Sequence, residues 1–166
     1  KLKELLFYAD ISDCKMEEKR LFDILKLYIA KYPDQKIALA KKEAGNWKNY
    51  SIQEYIEITN NLSYAFIKLG IMKDDKVGII CNNRPEWNML DMAIMQLGAI
   101  TVPVYPTISK EDYKYIINDC GVKLAVVENT GIMNKIEDVK DEIPNLNMIY
   151  TFFKGDKYQT FNDLVE

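Results

Sequence analysis

Apolar side chains recur along this chain in two rhythms, one helical and one of short unbroken runs. Leu21, Phe22, Leu25, Tyr28 and Ile29 mark one face of a helix that stops before Pro33. Residues 37–40 and 47–50 flank the polar turn 42–46, the pattern of an antiparallel hairpin. Ser51 and Glu54 form a capping box ahead of a helix whose inner face runs through 52, 55, 59, 62, 66 and 69 and which Gly70 closes. From Val77 onward strands are expected at 77–81, 100–105, 123–128 and 147–153, and helices at 85–97, 110–119 and 131–142. Short apolar strands without polar alternation, separated by helices, predict a doubly wound, mainly parallel α/β sheet with helices on both faces and right-handed crossovers. The hairpin near residues 37–50 stands apart from it.

The charged, weakly patterned stretch 1–20 reads as an amino-terminal extension or packing helix, and 21–166 as a single α/β subdomain. A chain of 166 residues is long enough for one sizeable core and too short for two ordinary domains.

Open α/β sheets bind ligands outside the carboxyl ends of their strands, so the functional edge should be residues 82–87 and 105–107. At the first of these turns Asn83 is suited to cap the helix, Pro85 to its first turn and Glu86 to its positive end. Arg84 is left over. It is either a clamp for a carboxylate or phosphate or the partner of a nearby carboxylate; Arg84→Ala should be nearly neutral in this chain, and a large loss of stability would instead mean a buried ion pair. The helix from Pro85 is apolar on nearly every side, so something besides the sheet should cover it. It is a central helix, or its face with Met92 and Met95 meets another domain or an acyl-chain pocket. Tyr105 and Thr107 sit on the ligand edge, and Pro103 within their strand implies a bulge or an unpaired amide. Candidates for substrate or interface contact are therefore Arg84, Trp87, Met92, Met95, Tyr105 and Thr107; no catalytic, cofactor-binding or metal-ligating residue is nominated.

Composition removes several functions. A net charge of −3 argues against nucleic acid as the main partner. Without histidine, Ser-His and Cys-His triads and the commonest metal ligand are absent. Cys14, Cys81 and Cys120 are too scattered for a disulfide framework or a zinc site, which fits a reducing, cytosolic setting. No apolar run approaches the ~18 residues of a membrane span, and the first residues are too short a stretch for a signal-peptide core. The spacing of the seven glycines excludes both G-x-G-x-x-G and the phosphate loop of P-loop proteins, which disfavours a dinucleotide-dependent oxidoreductase. Asp74-Asp75 and residues 137–142 read as a solvated turn and a wet helix face.

The run Asn83-Arg84-Pro85-Glu86-Trp87, followed by Leu97-Gly98-Ala99, Val102-Pro103-Val104-Tyr105-Pro106-Thr107 and Ser109, resembles the amino-terminal region of long-chain fatty-acid acyl-CoA synthetases, members of the adenylate-forming superfamily. The similarity extends over residues 21–166, including 31–39, Leu69-Gly70-Ile71 and Asp75-Lys76-Val77; the family's usual Gly-Asp before the strand reads Asp74-Asp75 here. The resemblance implies a ligase in which ATP and a fatty acid form an acyl-adenylate with release of pyrophosphate, and coenzyme A then displaces AMP. Mg²⁺ would shield the phosphates. It also implies that the family's phosphate loop, catalytic motifs and mobile carboxyl-terminal domain lie beyond Glu166. This chain would then be inactive alone and bind neither ATP, Mg²⁺ nor coenzyme A by itself. Its partners would be the downstream subdomains of the same polypeptide and the fatty acid substrate. A cytoplasmic location goes with the reducing setting that the cysteines suggest, with peripheral attachment of the full enzyme to the cytosolic face of a membrane left open. A stand-alone protein-interaction module, docking through the apolar helix, is the alternative from a different class.

Overall fold

In the computed structural model, which describes residues 20–155 and 157–166, a 3-10 turn at Leu21–Asp23 leads into α1 (Ile24–Lys31). Apart from Arg20, the expected amino-terminal extension lies outside the described residues. The hairpin is β1 (Leu39–Glu43) against β2 (Asn46–Tyr50), and Ser51 caps α2 (Ile52–Lys68) through the expected capping box with Glu54. Then follow β3 (Lys76–Ile80), α3 (Pro85–Gln96), β4 (Ile100–Val104), α4 (Lys110–Cys120), β5 (Val122–Val127), α5 (Thr130–Glu137), β6 (Met148–Thr151), β7 (Gln159–Thr160) and α6 (Phe161–Val165). Strands β3 to β7 form one fully parallel sheet in the order β4-β3-β5-β6-β7.

Strand side chains alternate between faces, and here both faces are buried, which is why the strands read as unbroken apolar runs. Val77, Ile79, Cys81, Leu124 and Val126 join α1, α2, α3 and α6 in one core, whereas Ile80, Ala125 and Val127 join α4 and α5 in the other. Gly78 belongs to the second face, where an added Cβ would come within 3.2 Å of Val122 Cγ1. The expected cover for α3 is α2, which packs along it: Tyr55 donates its hydroxyl hydrogen to the Asn88 carbonyl at 3.3 Å. Gly98, at φ +69°, ends α3 in a left-handed conformation that a β-carbon would strain.

Two expected element ends need correction, and of the two readings of Pro103 the bulge fails: β4 is an edge strand and keeps continuous register with β3, with Pro103 opposite Ile79. An edge is where a residue lacking an N–H disturbs a sheet least. The strand expected at 147–153 ends at Thr151, whose hydroxyl donates to the Phe153 carbonyl at 2.7 Å and turns the chain out of the ladder. The helix expected to reach residue 142 stops at Glu137 and is followed by a separate 3-10 turn, Lys140–Glu142. Strand β7 and helix α6 were not foreseen.

Candidate functional site

The turn from β3 into α3 is shaped by Pro85. A residue before proline is driven into extended backbone, and Arg84 takes φ −157°, ψ 151°. The helix N-cap therefore falls on Arg84, which makes no capping bond, and the expected capping by Asn83 is not what the structure shows: Asn83 is exposed. Pro85 fills the first helical position as expected.

Glu86 does more than complement the helix end. The residue is 6% exposed, and its carboxylate accepts from three side chains: Arg84 Nε at 3.0 Å on one oxygen, and Lys41 Nζ at 2.7 Å and the Tyr50 hydroxyl at 3.4 Å on the other. Burial pushes its pKa up, but the hydrogen bonds from Arg84 and Lys41, its own backbone amide and the Arg84 charge outweigh that and hold it down at about 2. The Arg84 guanidinium also lies 3.8 Å from the centroid of the Phe152 ring, and Nη1 is 3.8 Å from Glu128 Oε1. Glu128, just after β5, is held in turn by the backbone and side-chain amides of Asn82, at 2.9 and 2.6 Å.

One connected cluster thus ties the hairpin, the start of α3 and the ends of β5 and β6 together. Sequence reasoning missed Lys41, Tyr50, Glu128 and Phe152, which lie tens of residues from Arg84. One local signal pointed there: Lys41 and Lys48 face each other across the hairpin, and a like-charged cross-strand pair calls for an acid nearby.

The cluster separates two open grooves. One, of about 550 Å³, runs between the hairpin and the start of α3 and is lined by Trp47, Lys42, Arg84, Asn88 and Glu128; Trp47 is 69% exposed. The other, of about 490 Å³, is lined by Lys48, Arg84, Phe152, Lys154 and Asp163 among others. Tyr105 and Thr107 stand exposed at the carboxyl end of β4, on the same sheet edge as Arg84. Trp87 and Met92 are half-buried against the core, and the half-buried Met95 lies near the far end of α3. The structure gathers Arg84, Tyr105 and Thr107 at one edge and leaves Met92 and Met95 away from it.

These residues make a shaped wall with little reactive chemistry. The charges of Arg84 and Lys41 are turned onto Glu86, and burial pushes the Cys81 thiol up to about 12, so no thiolate is on offer. Among the described residues no group of three or more Cys, Asp or Glu side chains is placed to hold a metal ion.

The profile of the AMP-binding enzyme family matches residues 25–164. The chain belongs to this family. Among its relatives are a long-chain-fatty-acid–CoA ligase, ACSBG2, of Xenopus laevis, 34% identical over 124 residues, and the ACSBG1 ligase of Bos taurus, 26% identical over 139 residues. The matched regions cover 75% and 84% of this chain but only 17% and 19% of those relatives, so the chain spans less than a fifth of their length. The fold superposes on the anthranilate CoA ligase AuaEII, solved with anthranoyl-AMP, with a TM-score of 0.79 over 93% of this chain and 29% of that one, at 22% identity. A luciferase-like enzyme of the Zophobas morio mealworm superposes with a TM-score of 0.78 at 20% identity, covering 92% of this chain and 35% of that one.

In this member of the AMP-binding enzyme family Arg84 is half-buried and paired with the buried Glu86, the carboxylate-partner role of the two expected and the circumstance in which its removal is costly. Arg84→Ala should cost about 2 kcal/mol, because it removes a charged hydrogen bond and the contact with Phe152. Arg84→Lys should recover less than half, since a lysine cannot reproduce the planar stack. Urea unfolding midpoints of the two variants check both statements.

Proposed function

We propose that this chain is the amino-terminal segment of an ATP-dependent long-chain fatty acid–CoA ligase, with 21–166 as one subdomain and 1–20 as an extension before it. The carrying observation is the family match over residues 25–164 together with relatives that are themselves long-chain-fatty-acid–CoA ligases. The whole protein would join ATP and a fatty acid into an acyl-adenylate with release of pyrophosphate, and the thiol of coenzyme A would then displace AMP.

The residues present do not fit ATP or Mg²⁺ on their own: Arg84 and Lys41 are engaged by Glu86, the glycines make no phosphate loop, and among the described residues no cluster of acids is placed to hold a metal ion. The segment's part is to supply scaffold, one wall of the site and a docking face for later subdomains. The exposed Trp47 groove and the exposed Tyr105 support that role. Arg84 belongs to the scaffold of that wall, Tyr105 and Thr107 to its open surface, and Trp87, Met92 and Met95 to the packing behind it. A cytoplasmic setting, free or on the cytosolic face of a membrane, goes with this reading; among the described residues no helix is long and apolar enough to cross a membrane.

The test is direct. A longer polypeptide carrying this segment should form palmitoyl-CoA, AMP and pyrophosphate from palmitate, ATP and coenzyme A, whereas the 166-residue chain should form none. Acyl-CoA from the short chain would overturn its proposed silence. Its absence from the long one would overturn the ligase reading.

A further inference from the structure

The groove of about 550 Å³ beside the hairpin has one bank made of main chain. All of β1, Leu39–Glu43, lines it, whereas β2 contributes Trp47. Successive side chains of a strand point to opposite faces, so a groove lying on one face would be lined by alternate residues. One lined by every residue in turn runs along the strand's edge. Arg84, Pro85 and Asn88, at the start of α3, form the opposite bank.

The turn decides what that edge offers. Ala44 and Gly45, at φ +48° and +86°, make a two-residue hairpin loop, which closes on a hydrogen-bonded pair, here Glu43 and Asn46. Pairing alternates from there, so Lys41 directs its backbone groups at Lys48, and the N–H and C=O groups of Ala40 and Lys42 point outward into the groove. Among the described residues β1 and β2 have no third strand, and no backbone group outside the hairpin bonds to Ala40 or Lys42. The strand is in continuous register and holds no proline, and Lys41, whose charge would otherwise guard the edge, is turned onto Glu86. A two-stranded sheet is marginal in water without further cover, and in β1 and β2 Tyr50 alone is buried.

We infer that this groove takes an extended strand that pairs with the open edge of β1, and that the strand comes from the part of the polypeptide that follows this segment. Outward N–H and C=O groups at the spacing of a strand are matched by another extended main chain, not by a helix, whose own groups are already paired. The source follows from how short the edge is. Two outward residues offer too few hydrogen bonds to recruit a separate protein, but enough to seat a strand that is covalently tethered and so present at high effective concentration. The inference rests on the proposed ligase function, in which most of the polypeptide lies after this segment, and it names what the docking face holds.

Amide exchange tests it in the full-length protein, as wild type, Lys42→Pro and Lys42→Ala, with the 166-residue chain alongside. In the short chain the Ala40 and Lys42 amides face water and should exchange nearly as fast as in an unfolded chain; in the full-length protein they should be slowed roughly a hundredfold. Proline is tolerated at an open edge, so Lys42→Pro should leave the urea midpoint of the short chain unchanged. In the full-length protein it should speed exchange at Ala40 roughly tenfold or prevent folding outright, whereas Lys42→Ala should do neither. Fast exchange of both amides in the wild-type full-length protein overturns the inference. Slow exchange that Lys42→Pro leaves intact overturns it too, since the edge is then covered without being paired, and slow exchange that appears only as protein concentration rises would put a second copy there instead. Turnover is read separately: protected amides in a full-length protein that makes no acyl-CoA refute the ligase reading and leave the pairing standing, and acyl-CoA formation with fast amides refutes the pairing alone.

Discussion

Glu86→Ala is expected to lower the stability of the chain by about 3 kcal/mol at neutral pH, more than any other polar substitution at the sheet edge. The variant takes from Lys41 and Arg84, each 18% exposed at the side chain, their nearest carboxylate, leaving only the looser contacts with Glu43 at 3.6 Å and Glu128 at 3.8 Å, and it frees the Tyr50 hydroxyl. The pH dependence gives an independent measure. A carboxyl whose pKa falls from 4.5 when unfolded to about 2 when folded binds fewer protons in the folded state. Its contribution is fully present above about pH 4.5 and is lost as pH falls through about 2. That displacement corresponds to about 3 kcal/mol, in line with the cost expected on removal. Urea titrations of wild type and variant at pH 7, 4 and 2.5 should therefore show a gap that narrows in acid. A gap that stays constant across this range would remove Glu86 from the role given to it.

Phe66→Ala should cost about 3–5 kcal/mol, a large share of the roughly 5–15 kcal/mol that a typical domain has to lose. Phe66 is 0% exposed, on the face of α2 that packs in the core shared with α3 and the sheet. Its neighbour Ile67 is 58% exposed, so Ile67→Ala should stay within about 0.5 kcal/mol of wild type. Two substitutions one residue apart then differ almost wholly by which side of the helix they occupy. Comparable losses at both positions in thermal or urea unfolding would mean that α2 is rotated relative to this description.

That helix was the most legible element in the sequence, and the reason is local. Ser51 and Glu54 announce its start three residues apart, and Ile52, Tyr55, Leu62 and Phe66 repeat at helical spacing. The strands β3 and β5 were legible because burial on both faces leaves them apolar throughout. The edge cluster was not legible, because Lys41 and Glu86 are 45 residues apart and become neighbours only once hairpin and helix are docked. Asn83 was misread because a good capping side chain was weighed without the constraint that Pro85 puts on Arg84. The pair β7 and α6 escaped notice because two strand residues and five helical ones are too few to show a period. Of the site candidates, the place of Arg84, Tyr105 and Thr107 at the sheet edge was legible from strand ends alone, whereas what holds Arg84 and the 105–108 loop there is set by tertiary contacts.

Pro103 has a bearing on how anything larger is built around this sheet. A strand laid alongside β4 would meet a gap in the backbone ladder at the proline, and one laid alongside β7 would find two residues to pair with. Neither flank offers a partner much main chain to zip onto. What this sheet presents instead are side chains at the strand ends and helix faces, where residue identity, and not backbone alone, decides which surface fits.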